Sequence, residues 1–204
     1  MSSRRMRVVD FTPPFMITHL AAIMKTKHAT TLDIHSVSDL ARQSTVKYGT
    51  IVGGWTFDFF RTSRTPLYER MWAEMTRDAN DRFPSTVEEG FHRVITSTDQ
   101  HPYAFIFGSP ELTYIASLRC DMQVVMDEHI FQYYSMAMPL NYQLHAHLSL
   151  SILEMHDSGE LNRLRRRWWP EPQCGHGTVS FPSSCLLISF FIITAILHLF
   201  ATDS

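Results

Sequence analysis

The sequence predicts an α/β layered domain followed by one membrane-spanning helix. Three observations lead there. Strand and helix signals alternate from about residue 30 to about residue 170. A continuous apolar run, Tyr103–Phe107 (YAFIF), reads as a strand buried on both faces and ends at Gly108. From Phe181 to Ala201 there is no Asp, Glu, Lys or Arg, and the stretch is predominantly apolar. The composition therefore shifts sharply near Thr178, the clearest boundary; the organisation expected is a divergent N-terminal segment over residues 1–29, a domain over 30–177 and a membrane helix with a short tail over 178–204. With 204 residues, 45% hydrophobic and 19% charged, the balance is that of a globular domain with a sizeable core. The formal net charge of −2 offers no global pull toward nucleic acid.

The N-terminal segment has the polarity of a secretory leader, MSSRRMR ahead of the apolar Phe15–Met24. Asp10, Pro13 and Pro14 interrupt the approach, and no small-x-small cleavage site follows cleanly, so a cleaved leader is not the expectation. So short a run cannot cross a bilayer alone.

Ser36 caps a short helix over Ser38–Gln43, with Asp39 facing its positive end. Val46–Thr50 alternates and is rich in β-formers, which predicts a strand. Gly53-Gly54 forces a tight turn, and Thr56 is placed to cap a helix through Phe59, Phe60 and Arg61. Pro66 suits a first helical turn, after which Leu67, Met71, Trp72 and Met75 share a face. Ser85 or Thr86 caps a further helix toward Val94, with Glu88 and Glu89 in its first turn. After the central strand, Ser109-Pro110 opens another helix, Ser109 as its cap and Pro110 at the favoured first position. Val124–Met126 and Tyr134–Met138 read as short strands. Leu144, Leu148, Ile152 and Met155 recur at helical spacing up to Gly159, and a last helix runs from about Glu160 to Trp168.

Phe181–Ala201 is apolar all round and as a helix would span about 31 Å, close to the thickness of a bilayer core. Of three cysteines, Cys185 lies inside this stretch and behaves as a small hydrophobe. Cys120 and Cys174 remain, either as a disulfide in an oxidising compartment or as two thiols. No zinc-protease helix motif, nucleophile-elbow serine or phosphate-binding glycine loop occurs. His145 and His147 would point apart on a helix, and the Arg163–Arg167 run is a solvated helix face. Nothing supports an enzyme, and no cofactor or metal is implied.

Several stretches, in matching order, resemble the ionotropic glutamate receptor family. Val37–Ala41 (VSDLA), Tyr48-Gly-Thr50, Phe59-Phe60 and Tyr68–Met75 (YERMWAEM) look like the start of its second ligand-binding segment. Tyr103–Phe107 resembles its central strand, and Ile152–Cys174 its final helices, paired tryptophans and closing cysteine. The surroundings of WWPEPQC look closest to the delta or kainate branches. Leu20-Ala-Ala22 looks like the end of the pore-lining third membrane helix, and Phe181–Ala201 falls where the family has its last one. The resemblance implies one lobe of a periplasmic-binding-protein-like clamshell with a C-terminal transmembrane helix. It also implies a disulfide between Cys120 and Cys174, and hence an extracellular lobe at the plasma membrane, the postsynaptic membrane included.

The family's Gly-Ser-Thr turn holds the ligand's distal acid at a helix N-terminus. Here it reads Gly54-Trp55-Thr56: the threonine is retained, and an indole replaces the small hydroxyl. The family places a carboxylate directly after the central strand to pair with the ligand's ammonium; this chain has Gly108 there, with Glu111 one helical turn on as the substitute candidate. Tyr134 falls where the family has a pocket tyrosine. The implied ligand is amino-acid-like, with glutamate itself disfavoured by Trp55 and Gly108. The first ligand-binding segment with its arginine, the first membrane helix and the pore loop are not found. The expectation is therefore a fragment or truncated form of a ligand-gated cation channel, tetrameric with other receptor subunits when full length. The alternative is a non-conducting, membrane-anchored binding or assembly module.

Overall fold

Why the chain folds around its middle is clearest in the two strands whose central residues are apolar without a break. In the computed structural model, which describes residues 7–169, Leu20 through Met24 are each 0% exposed. They lie in strand β2 (Met16–Lys25), whose flanks pair antiparallel with β4 (Tyr103–Gly108) and β5 (Met122–Tyr134). Strand β3 (Lys47–Gly49) adds to β4 in parallel, giving the order β3-β4-β2-β5. The central position of β2 and β4 means both of their faces are covered, which is why neither shows polar alternation there.

The two faces carry separate cores that follow the period of a strand. On one side Leu20, Ala22, Met24, Ala104 and Ile106 pack under α2 (Val37–Arg42), α3 (Trp55–Thr62) and α4 (Pro66–Arg77), which contribute Leu40, Phe60, Met71 and Met75. On the other side Ala21, Ile23, Tyr103 and Phe105 pack under α6 (Val87–Thr96) and α7 (Ser109–Ser117), through Phe91, Val94 and Leu112. Short helices α1 (Thr26–Thr31) and α5 (Ala79–Arg82) fill the connections.

A second, two-stranded sheet pairs β1 (Val9–Phe11) with β6 (Ala137–Pro139). The backbone around it is stitched by Thr12 N–H to the Met136 carbonyl at 3.0 Å and Phe15 N–H to the Tyr134 carbonyl at 3.0 Å. Helix α8 (His145–Asp157) reaches the same segment through His145, whose Nε2 lies 3.2 Å from the Phe11 carbonyl, and His156, 2.9 Å from that of Pro14. Gly159 ends α8 with φ 72°, a conformation that glycine adopts without a Cβ clash, and α9 (Glu160–Trp168) follows. Trp169 donates its indole N–H to the Pro110 carbonyl at 2.7 Å, fastening the end of α9 to the start of α7.

The α/β class, the central strand and the helices beginning near Ser36, Pro66, Thr86 and Gly108 match the sequence reading. Three expectations need correction. The apolar stretch around Leu20–Ala22 is a strand at the heart of the sheet, not the end of a membrane helix, and the lobe begins upstream of residue 30. An apolar run of that length fits strand or helix equally well; the pairing with β4 and β5 decides. The strands read at Val124–Met126 and Tyr134–Met138 are instead one long β5 and a short β6. The polar Asp127-Glu128-His129 looks like a break, but the ladder continues across a register shift between His19 and Leu20. Thr56 and Ser109 are not caps; Gly54 and Gly108 hold those positions. Among the described residues no helix is long and apolar enough to cross a membrane, and Phe181–Ala201 lies outside them.

Candidate functional site

Two turns at the carboxyl ends of β3 and β4 lead into helices, and each carries residues singled out by sequence. After β3 the chain turns at Gly53, with φ 83°, and Gly54 starts α3. The first backbone N–H groups of α3 have no partner within the helix and carry its partial positive charge. Trp55 is the first helical residue and is only half-buried. Thr56 is fully buried, and its hydroxyl is taken up by that of Thr50, 2.6 Å away and equally buried. This pair ties the start of α3 to the strand that precedes it.

After β4, Gly108 starts α7 with extended backbone. Ser109 accepts the backbone N–H of His19 at 2.9 Å, which binds α7 to β2. Glu111, in the first turn of α7, accepts the Tyr134 hydroxyl on Oε1 at 3.1 Å. A Cβ on Gly108 would stand 2.8 Å from Glu111 Oε2, 2.8 Å from Thr18 Oγ1 and 3.6 Å from the Tyr134 hydroxyl. Those three side chains crowd the space that a residue other than glycine would fill. Burial, reinforced by the Glu111 carboxylate and opposed more weakly by the neighbouring Thr18 hydroxyl, pushes the Tyr134 phenol up to about 12.

A cavity of about 210 Å³ opens beside the first of these turns, lined by Phe11, Thr18, Trp55, Gln132, Tyr133, Tyr134 and Ser135. Of the sequence-predicted residues, Trp55 and Tyr134 line it and Gly108 lies against Tyr134; Thr56 is withdrawn into its bond with Thr50. A larger hollow of about 550 Å³ along β1 and α8 holds none of the predicted residues. Sequence reasoning misses Thr18, Gln132 and Ser135. Thr18 is hidden when β2 is read as a helix end, and the signal that would find it is its alternation with the outward Ile17 and His19. Among the described residues no cluster of His, Cys, Asp and Glu fits a metal ion. Cys120 sits in the turn between α7 and β5, and Cys174 lies outside the described residues.

No protein-family model matches the sequence. Curated relatives do. The mouse "Glutamate receptor ionotropic, kainate 5" is 33% identical over 141 residues, 69% of this chain and 14% of its own length. A Lymnaea stagnalis "Glutamate receptor" is 33% identical over 157 residues, 76% of this chain and 17% of its own. The human "Glutamate receptor 3" is 33% identical over 146 residues, 71% and 16%. The chain thus spans less than a fifth of these relatives, which are receptors and not enzymes. A solved structure, "Drosophila muscle GluRIIB complex with glutamate", superposes with a TM-score of 0.72 at 32% identity, over 84% of this chain and 66% of that one. The described α/β domain therefore has the fold of a glutamate receptor ligand-binding lobe, and the chain belongs to the ionotropic glutamate receptor family.

Proposed function

We propose that the described domain is the second ligand-binding lobe of a ligand-gated cation channel and that it holds one side of a small amino-acid-like ligand. The observation that carries this reading is the cavity in which Trp55, at the N-terminus of α3, faces Thr18 and Tyr134. Helix N-termini favour carboxylates, and α3 and α7 both start at the carboxyl ends of strands, where ligands of open α/β sheets sit. In this reading Gly54, Trp55 and Thr56 meet the acidic end of the ligand through backbone N–H groups. The Trp55 indole narrows the space there and favours a ligand shorter than glutamate or one that stacks on a ring. Gly108 and Tyr134 border its other end. Phe181–Ala201 anchors the lobe to the plasma membrane, a Cys120–Cys174 disulfide fixes the lobe outside the cell, and further subunits complete the channel.

The test is a titration of the full chain in detergent micelles with L-glutamate and glycine, followed by amide NMR. The reading predicts saturable shifts at Gly54, Trp55 and Gly108, larger for glycine. Unchanged spectra with both amino acids would remove the ligand-binding reading and favour the membrane-anchored module, for which the lobe acts only as an assembly surface.

A further inference from the structure

Helix α9 turns Leu161 and Leu164 inward, half-buried, and leaves Arg163, Arg165, Arg166 and Arg167 exposed. At helical spacing Arg166 stands opposite the two leucines, with Arg163 and Arg167 on one flank and Arg165 on the other. The helix is held in place at its end. The Trp169 indole N–H is bonded to the Pro110 carbonyl, and its ring lies 6.3 Å from that of Tyr114. The Arg167 guanidinium rests 5.7 Å from the centre of the Trp168 ring, which is 47% exposed.

Elsewhere in the lobe, Arg42, Arg61, Arg77, Arg93 and Arg119 each lie against a carboxylate. On α9, Arg163 donates from Nε to Glu160 Oε2 at 2.7 Å. Arg165, Arg166 and Arg167 have no acidic partner among the described residues. Cations suit the last turn of a helix, where the carbonyls carry partial negative charge. Like charges three and four residues apart repel, however, so Arg163 beside both Arg166 and Arg167 costs stability until an anion offsets it. The chain as a whole carries a net charge of −2, so this excess of cations is local to one face. None of the four arginines lines either cavity, which sets them apart from the site for a small ligand.

We infer that the arginine face of α9 binds a sulfated polysaccharide of the glycosaminoglycan class. An exposed row of cations encloses no single anion, but it can be followed by an extended polyanion. Each exposed ion pair contributes little in water; a polyanion engages several at once and releases its condensed counterions. The planar guanidinium fork matches two oxygens of a sulfate or a carboxylate, and such a polysaccharide carries both along its length. The choice of a polysaccharide over a nucleic acid rests on the extracellular placement of the lobe proposed above.

The experiment applies the full chain, in a non-ionic detergent, to immobilised heparin and elutes it with sodium chloride. Retention at physiological salt is expected. The triple change Arg165→Gln, Arg166→Gln and Arg167→Gln should elute much earlier, and the slope of log affinity against log salt should fall by about two to three, one for each cation lost. The same three changed to Lys keep the charge and should keep most of the retention. Arg61→Gln with Arg77→Gln, which removes paired cations elsewhere, should leave elution unchanged. A folded Gln triple that elutes with the unaltered chain, an equal loss in the Arg61 and Arg77 control, or full retention on desulfated heparin would each overturn the proposal. A single-stranded polynucleotide that displaces the chain at lower concentration than heparin would overturn the polysaccharide and the extracellular placement together. Glycine is titrated against the Gln triple as well. Shifts at Gly54 that persist while heparin retention is lost support a polysaccharide face separate from the ligand cavity.

Discussion

Tyr68 on α4 donates its phenolic hydrogen to Oδ2 of Asp127 on β5 at 2.5 Å, with both residues buried. The bond joins the helical layer to the sheet at the register shift between β2 and β5. The other carboxylate oxygen accepts the His129 backbone N–H at 3.3 Å. Tyr68→Phe removes the shorter of these bonds and leaves a buried carboxylate half-satisfied. The expected cost is about 1–3 kcal/mol, read as a lowered urea midpoint with unchanged slope.

Burial pushes the phenols of Tyr48, Tyr68 and Tyr103 up to about 12. For Tyr68 the Asp127 carboxylate adds to burial, and for Tyr48 the charge of Glu74 does. A phenol whose folded value lies above its unfolded value of about 10 stabilises the protonated fold fully below that pH and loses the contribution as pH rises through the folded value. Thermal stability should therefore fall steeply between about pH 10 and pH 12, together with the rise of tyrosinate absorbance. Ionisation of these phenols near pH 10 in the still-folded chain would contradict the burial argument.

The Thr50–Thr56 hydroxyl pair separates two kinds of loss. Thr56→Val strands the buried Thr50 hydroxyl and should cost about 1–3 kcal/mol. Adding Thr50→Val removes the stranded group, so the double variant should be more stable than the sum of the single changes predicts. Denaturant unfolding of the four proteins gives the coupling directly.

Gly90 on α6 sits over the Phe105 ring, where a Cβ would come within 2.5 Å of Cε2. Phe105 is held between Phe91 and Phe107, at centroid separations of 5.6 Å and 5.8 Å, and has little freedom to move. Gly90→Ala gains up to about 1 kcal/mol of helix propensity and loses about 1–3 kcal/mol to overpacking. Net destabilisation by thermal melting is the expected sign, against the usual benefit of alanine in a helix.

Local chemistry is legible where a signal is complete within a few residues. The Ser36 cap accepts the Asp39 N–H at 3.0 Å, the Thr86 cap accepts that of Glu89 at 3.1 Å, and Met71 and Met75 are buried as their spacing predicts. Strand β2 is not legible, because its identity depends on partners distant in sequence. The same holds for the site. Trp55, Gly108 and Tyr134 can be named from motifs, but Thr18 is found only once its alternation with Ile17 and His19 is read as that of a strand, which the pairing of β2 with β4 and β5 decides. The role of Thr56 depends on the orientation of Thr50, which no spacing encodes.

The central strand of the sheet is made long before the partners on either side of it. The His19 N–H and the Ser109 hydroxyl that receives it are separated by 90 residues. A nascent chain must therefore carry Leu20–Met24 without its neighbours until the strands flanking it have left the ribosome. Contacts this far apart slow folding and lengthen the time in which an apolar segment is open to aggregation. In this lobe, the segment that ends as the most protected is the one most in need of a chaperone during synthesis.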